Sequence, residues 1–221
     1  PGKVAADWQQ IMIFIAIASM ALGAVAAVAQ TNIKRLLAYS SIANIGFALV
    51  GLTPGTPDGI SALLFYVTVY VAMTLGSFLV VLQLRRPDGG TVETMADLAG
   101  LSKTQPKLAA ALTIFMLRLA GIPRLLGFWP KFAVFQAAIA SGLLGLAIIG
   151  FIASVVAAFY YLRLIKIMYF DEPAVQLASE GSPVNGAMIA ACALFCSPVG
   201  MLAMSPLAVA TARAAAALFP A

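Results

Sequence analysis

Histidine is absent from the 221 residues, and only 10% of them are charged. Without an imidazole, histidine-ligated haem and histidine acid–base catalysis are excluded. A soluble domain carries about 25% charged residues. A chain this poor in charge, 62% hydrophobic and with a mean hydropathy of +1.01, is an integral membrane protein. Cysteine is scarce too: Cys192 and Cys196 stand one helical turn apart in an apolar run. With no further soft ligand to complete a metal site, they read as small packing residues. Carboxylates are missing at depth. All eight (Asp7, Asp58, Asp88, Glu93, Asp97, Asp171, Glu172, Glu180) fall in loops or at their edges. The alternation of β-barrel strands is not visible, and the apolar runs have helix length.

What is present is organised around residues 108–141, whose centre reads Gly121-Ile-Pro-Arg-Leu-Leu-Gly-Phe-Trp-Pro-Lys131-Phe. As one helix, these 34 residues would extend roughly 50 Å, against a hydrocarbon core of about 30 Å. Gly121, Pro123, Gly127 and Pro130 therefore predict an interruption, since proline removes a donor and clashes with the preceding turn. The expected element is a discontinuous transmembrane helix with Lys131 at its middle. An intramembrane lysine is a candidate functional residue; the plainer reading is a structural lysine that satisfies carbonyls freed by the break. Arg118, Arg124 and Lys131 are the cations of this element, and no carboxylate at depth can pair with them. An unpaired charge there costs about 2.5–3.5 kcal/mol or more. Neutralising a lysine at pH 7 takes roughly 4–5 kcal/mol. The magnitudes are close, so a lysine here can exchange its proton, as a proton carrier must.

In chain order, apolar spans are expected at about 9–29, 36–52, 60–84, 108–141 (broken), 143–162 and 186–209, the last kinked near Pro198. The second carries Ser40, Ser41 and Asn44 within one turn of each other, and the third places Tyr66 and Tyr70 one turn apart. Interhelical hydrogen bonding and packing are the plainer roles for these five. Residues 85–107 form a polar surface loop. Six spans put both ends of the chain on one side of the membrane. One set of loops holds Lys34, Arg35, Arg85, Arg86, Lys103, Lys107, Arg163 and Lys166; the other holds only Lys3 and Arg213. The positive-inside rule then places both termini outside, with Lys34 and Arg35 as topology anchors. The net charge of +5 is thus a matter of topology, and nucleic acid is not an expected partner. The chain starts at Pro1 and reads as a fragment.

Gln30-Thr-Asn-Ile-Lys-Arg-Leu-Leu-Ala-Tyr-Ser-Ser-Ile-Ala-Asn-Ile-Gly46 resembles the signature of the antiporter-like membrane subunits of respiratory complex I. Leu119-Ala-Gly-Ile-Pro123, Gly127-Phe128 and Lys131-Phe132 resemble the broken helix of that family. Tyr160-Tyr-Leu-Arg-Leu-Ile-Lys-Ile-Met-Tyr-Phe-Asp-Glu-Pro173 is similar to its subunit N branch, as is the pair Lys131-Phe132. The resemblance implies an all-α membrane fold in which residues 1–184 form one five-helix inverted-repeat unit and 185–221 a final helix. About eight N-terminal helices of the family pattern would precede it.

The resemblance also implies a function: proton translocation in the membrane arm of NADH:quinone oxidoreductase, coupled to quinone reduction through a lysine-centred half-channel. The proton path would comprise Lys131, Asn44, Ser40, Ser41, Tyr66 and Tyr70. The chain would be part of a translocase without redox chemistry of its own. NADH, FMN, iron–sulfur clusters and quinone would bind elsewhere in the complex, and no metal or cofactor in this chain. Its partners would be the lipid bilayer and other membrane-arm subunits, in a bacterial inner membrane or its organellar equivalent. The family usually has histidine at Asn44, a small or hydroxyl residue at Arg118, an apolar one at Arg124 and glycine at Pro130. Two alternatives share the fold: a subunit of a multi-subunit cation/proton antiporter, and a non-pumping structural subunit of the membrane arm.

Overall fold

The computed structural model describes residues 3–122, 128–173 and 176–219. Three long helices come first. α1 (Lys3–Val28) runs uncapped by any acidic residue, α2 (Ile33–Leu52) starts on Asn32, whose side chain accepts from the Arg35 amide, and α3 (Pro57–Gln83) starts on Thr56 with Pro57 in its first turn. Asparagine and threonine oxygens suit these positions because they take one of the orphan N–H groups of a first turn. α1 and α2 approach closely: a Cβ on Gly23 would lie 2.5 Å from the Ala43 nitrogen, and one on Gly46 2.8 Å from the Met20 nitrogen. In lipid, such small-residue contacts let dispersion hold helices together.

The broken element is seen as α5 (Pro106–Ala120) and α6 (Phe128–Ala140), preceded by the single turn α4 (Leu101–Thr104). Pro123, Arg124 and Gly127 lie outside the described residues. Gly121 ends α5 in the left-handed conformation, with φ at +75°. Pro130 is not a breaker: it is buried in the first turn of α6, where a missing N–H loses no helical bond. Lys131 likewise stands inside α6 rather than in the break. α7 (Leu144–Phe170) is longer than expected and carries Arg163 and Lys166 within the helix.

The last crossing runs from Pro183 to Ala216 alongside α3, as α8 (Pro183–Cys196), a 3-10 turn (Pro198–Ala203) and α9 (Met204–Ala216). One broken helix was expected; the described residues contain two. The cause is Pro198, which cannot donate to Leu194. The Ser197 amide and hydroxyl take that carbonyl instead, at 3.0 and 2.7 Å.

Residues 85–107 are built structure rather than open loop. β1 (Leu84–Arg85) pairs antiparallel with β2 (Ala178–Ser179). Ile33 N–H donates to the Glu93 carbonyl and Met95 N–H to the Thr31 carbonyl, both at 2.8 Å, which seams this segment to the start of α2. Arg163 reaches the Val28 carbonyl at 3.3 Å, and Lys103 meets Glu172 at 2.9 Å. All eight cations of the basic set, whether in loops or in the end turns of helices, therefore gather at one end of the bundle, together with the salt bridges found among the described residues. Lys34 donates to Thr91 Oγ1 at 3.0 Å, and the Arg35 side chain is exposed.

Candidate functional site: a buried lysine and a hydroxyl–amide network

Lys131 is 5% exposed, and the helix break explains its partners. In α5 the carbonyl of Leu119 should take the N–H of residue 123, but that residue is proline and has none. The Lys131 ammonium donates to this orphaned oxygen at 2.9 Å, with its second bond to Ser154 Oγ on α7 at 3.1 Å. It also sits at the C-terminal end of α5, where the helix dipole favours a cation. Among the described residues no carboxylate pairs with it. The Lys131 side chain packs against Gly121, where an added Cβ would lie 3.1 Å from its Cδ. The structural role is therefore present; both hydrogen-bond partners are neutral, so loss of the proton would strand no counter-charge.

Ser40, Asn44 and Phe47 form one stripe on α2 at helical spacing, all buried. Asn44 is a hub. Its Nδ2 donates to the Ser40 carbonyl at 2.8 Å and to Tyr161 Oη at 3.1 Å, and its Oδ1 accepts from Tyr66 Oη at 2.7 Å. The Ser40 hydroxyl closes the set on Tyr161. Tyr70 stacks on Tyr66, with centroids 6.2 Å apart and planes 14° apart, and makes no side-chain hydrogen bond among the described residues. Ser41 is not a member: it turns away and bonds back to the Leu37 carbonyl at 2.9 Å. An amide can align hydroxyls by donating and accepting at once, but it neither gains nor loses a proton near neutral pH. Asn44 thus aligns the hydroxyls around it without itself carrying a proton.

Tyr161, Ser154 and Tyr160 were not anticipated. Tyr160 is fully buried, its ring centroid 4.5 Å from that of Tyr161 and its hydroxyl without a hydrogen-bond partner among the described residues. A cavity of about 530 Å³ lies on the other side of Lys131, towards the sparsely charged end, lined by Thr56, Asp58, Ser61, Gln136, Ser141 and Thr211 among others. An apolar cleft of about 520 Å³ between α6 and α7 reaches Lys131 itself through Phe128, Phe132, Phe135 and Phe151. Gln136 lines both. Arg118 is 1% exposed, and its three guanidinium nitrogens have no hydrogen-bond partner among the described residues.

Residues 2–157 match the family described as NADH:quinone oxidoreductase/Mrp antiporter, TM. A relative in Sphingopyxis alaskensis named NADH-quinone oxidoreductase subunit N is 53% identical over 219 residues, which are 99% of this chain and 46% of the relative. The chain thus spans a little under half the length of that protein. Among solved structures, a chain of the respiratory complex I of Thermus thermophilus is 32% identical with a TM-score of 0.77, over 90% of this chain and 44% of the other. A chain of the Mrp complex from a Dietzia species superposes with a TM-score of 0.80 over 96% of this chain and 47% of its own, and at 20% identity it shares the fold alone. The helix order, the broken α5–α6 element and the match over residues 2–157 agree: the chain belongs to the NADH:quinone oxidoreductase/Mrp antiporter transmembrane family.

Proposed function

We propose that this chain is the later half of a proton-translocating membrane-arm subunit of NADH:quinone oxidoreductase, with Lys131 as the group that takes up and releases the proton. The carrying observation is the lysine's environment: buried, at a helix break, and held by a carbonyl and a hydroxyl instead of a carboxylate. Asn44, Ser40, Tyr66 and Tyr161 form the polar station on the basic side, and the cavity past Gln136 supplies water on the other. Ser41 and Tyr70 stand beside this route. Residues 1–184 act as the five-helix unit and 185–221 as the closing span. The basic end faces the cytoplasm or its organellar equivalent, and both ends of the chain face outward. Redox chemistry and its NADH, FMN, iron–sulfur and quinone groups belong to other subunits of the complex.

The test uses the complete complex with Lys131→Ala and Lys131→Arg. Arginine keeps donors and charge but holds its proton at any physiological pH. Both variants should assemble and lose most quinone-coupled pumping, with NADH:quinone turnover reduced alongside. Full pumping by the arginine variant would make Lys131 a scaffold for the Leu119 carbonyl, and the membrane unit a structural one.

A further inference from the structure

Arg118 is the largest fully buried side chain among the described residues, and it is a cation with nothing to bond to. Buried donors are satisfied by protein or by ordered water, and exceptions call for a cause. Its surroundings supply one. Arg118 stands in the last turn of α5, and across the α5–α8 contact lies Cys196, the buried last residue of α8. α8 ends at the second break. There the Val199 amide turns to Ser197 Oγ at 3.2 Å and the Gly200 amide to the Ser197 carbonyl at 3.0 Å. The carbonyls of Phe195 and Cys196 are left without their helical donors. The orphaned guanidinium at the end of α5 and the interrupted end of α8 thus meet across the α5–α8 contact, and no direct hydrogen bond joins them among the described residues. Irregular backbone in a bilayer is tolerated only where protein or water completes it. Water is the partner that would satisfy a guanidinium with no protein acceptor.

A hydrated break beside a proton carrier is a route for leakage. Arg118 is the residue before Leu119, whose carbonyl holds the Lys131 ammonium. A fixed, permanently charged guanidinium in a narrow wet site repels hydronium, as positive groups do in water-selective pores.

We propose that Arg118 holds buried water at the α5–α8 contact and serves as the electrostatic barrier that keeps protons from crossing there past Lys131. This rests on the proton-carrying reading of Lys131, but the two fail separately. Loss of pumping in Lys131→Ala tests the carrier; passive leak tests the barrier.

The complete complex is reconstituted in liposomes carrying an internal pH dye, and inward proton flux is driven by a potassium diffusion potential without NADH or quinone. Arg118→Gln should raise the passive flux roughly tenfold over the parent, while Arg118→Lys, which keeps the charge, should stay near it. Cys196→Asp offers a second route. It leaves the arginine in place and sets a carboxylate beside its charge, so the leak should match that of Arg118→Gln. Should Arg118→Gln fail to assemble, the Cys196→Asp liposomes decide. Tight liposomes with either charge-cancelling variant, or an Arg118→Lys leak equal to that of Arg118→Gln, would overturn the barrier.

Discussion

The Lys131 ammonium lies over the ring of Phe47, 4.6 Å from its centroid. Phe47 is the next member of the α2 stripe after Ser40 and Asn44, and on α7 the partners of the two polar stations, Ser154 and Tyr161, are seven residues apart. At 1.5 Å per residue the stations are about 10 Å from each other along the helices. The ring fills the interval. On the proposed route a proton moving between Asn44's network and Lys131 would pass Phe47, which also packs edge-on against Phe135 at 6.1 Å.

On the proposed route Phe47 would be a functional position as well as a core residue. Phe47→Leu removes the π face with little loss of volume, so assembly should be retained at a cost under about 1.5 kcal/mol. A desolvated cation–π contact contributes about 2 kcal/mol, which is more than tenfold in how often the ammonium occupies this position. Pumping in the assembled Phe47→Leu complex should fall about tenfold. Phe47→Ala, which leaves a cavity, should instead lower stability by about 3–5 kcal/mol in thermal unfolding of the detergent-solubilised complex. Unchanged pumping in the leucine variant would reduce Phe47 to packing.

Asn44 and Tyr161 should behave as one unit. Tyr161→Phe deletes the hydroxyl that Asn44 and Ser40 both use. Each group stranded without a partner costs about 1–3 kcal/mol. Asn44→Leu strands the same hydroxyl from the other side. The double variant should be less destabilised than the sum of the singles by about 1 kcal/mol or more, because the second change removes a group the first has already orphaned. Additive losses would show that the two side chains are not energetically joined.

The membrane class and the helix break were legible because both depend on composition: long apolar runs, and proline and glycine placed where no helix continues. Lys131 stood out as a charge inside an apolar stretch. Tyr161 and Ser154 carried no such mark. A tyrosine or serine in a transmembrane run is ordinary, and only the seven-residue spacing between them, read against the Ser40–Asn44–Phe47 stripe, hints that they face the site. Ser41 failed in the opposite sense: next to Ser40 in sequence, it lies about 100° away around the helix. The segment 85–107 was misread because its order comes from pairing with residues 31–33 and 178–179, which no local pattern reveals.

Orientation is open to direct labelling. Asp88 is exposed in the turn after β1, at the basic end. With Cys192 and Cys196 replaced by alanine, Asp88→Cys should resist a membrane-impermeant maleimide applied to intact cells and react once the cells are permeabilised. Labelling of sealed cells to the same extent as permeabilised ones would invert the topology and put the eight basic residues outside.

Asp97 gives the basic end an acid-sensitive clasp. Thr94 and Asp97 cap each other: Thr94 N–H donates to Asp97 Oδ2 at 2.9 Å, Asp97 N–H donates to Thr94 Oγ1 at 3.2 Å, and Glu93 N–H adds a third bond at 3.1 Å. Burial by itself pushes the Asp97 carboxyl up. The Thr94 and Glu93 amides, the Thr94 hydroxyl and the nearby Arg86 outweigh it and hold the group below the ordinary carboxylate range. A depressed folded value means that the ionised carboxylate stabilises the fold. That contribution is complete above the unfolded value of about 3.9 and disappears as the pH falls through the lower folded one. Because the clasp braces the segment whose Glu93 carbonyl and Met95 amide pair with Ile33 and Thr31, its loss should loosen the seam before the bundle. Proteolysis of residues 85–107 in the solubilised complex by an acid-active protease should therefore stay slow at pH 5 and accelerate below about pH 4. Asp97→Asn, lacking the charge at every pH, should be cut quickly at pH 5 and show little further change on acidification. Equal acid sensitivity in parent and variant would place the switch on another carboxylate.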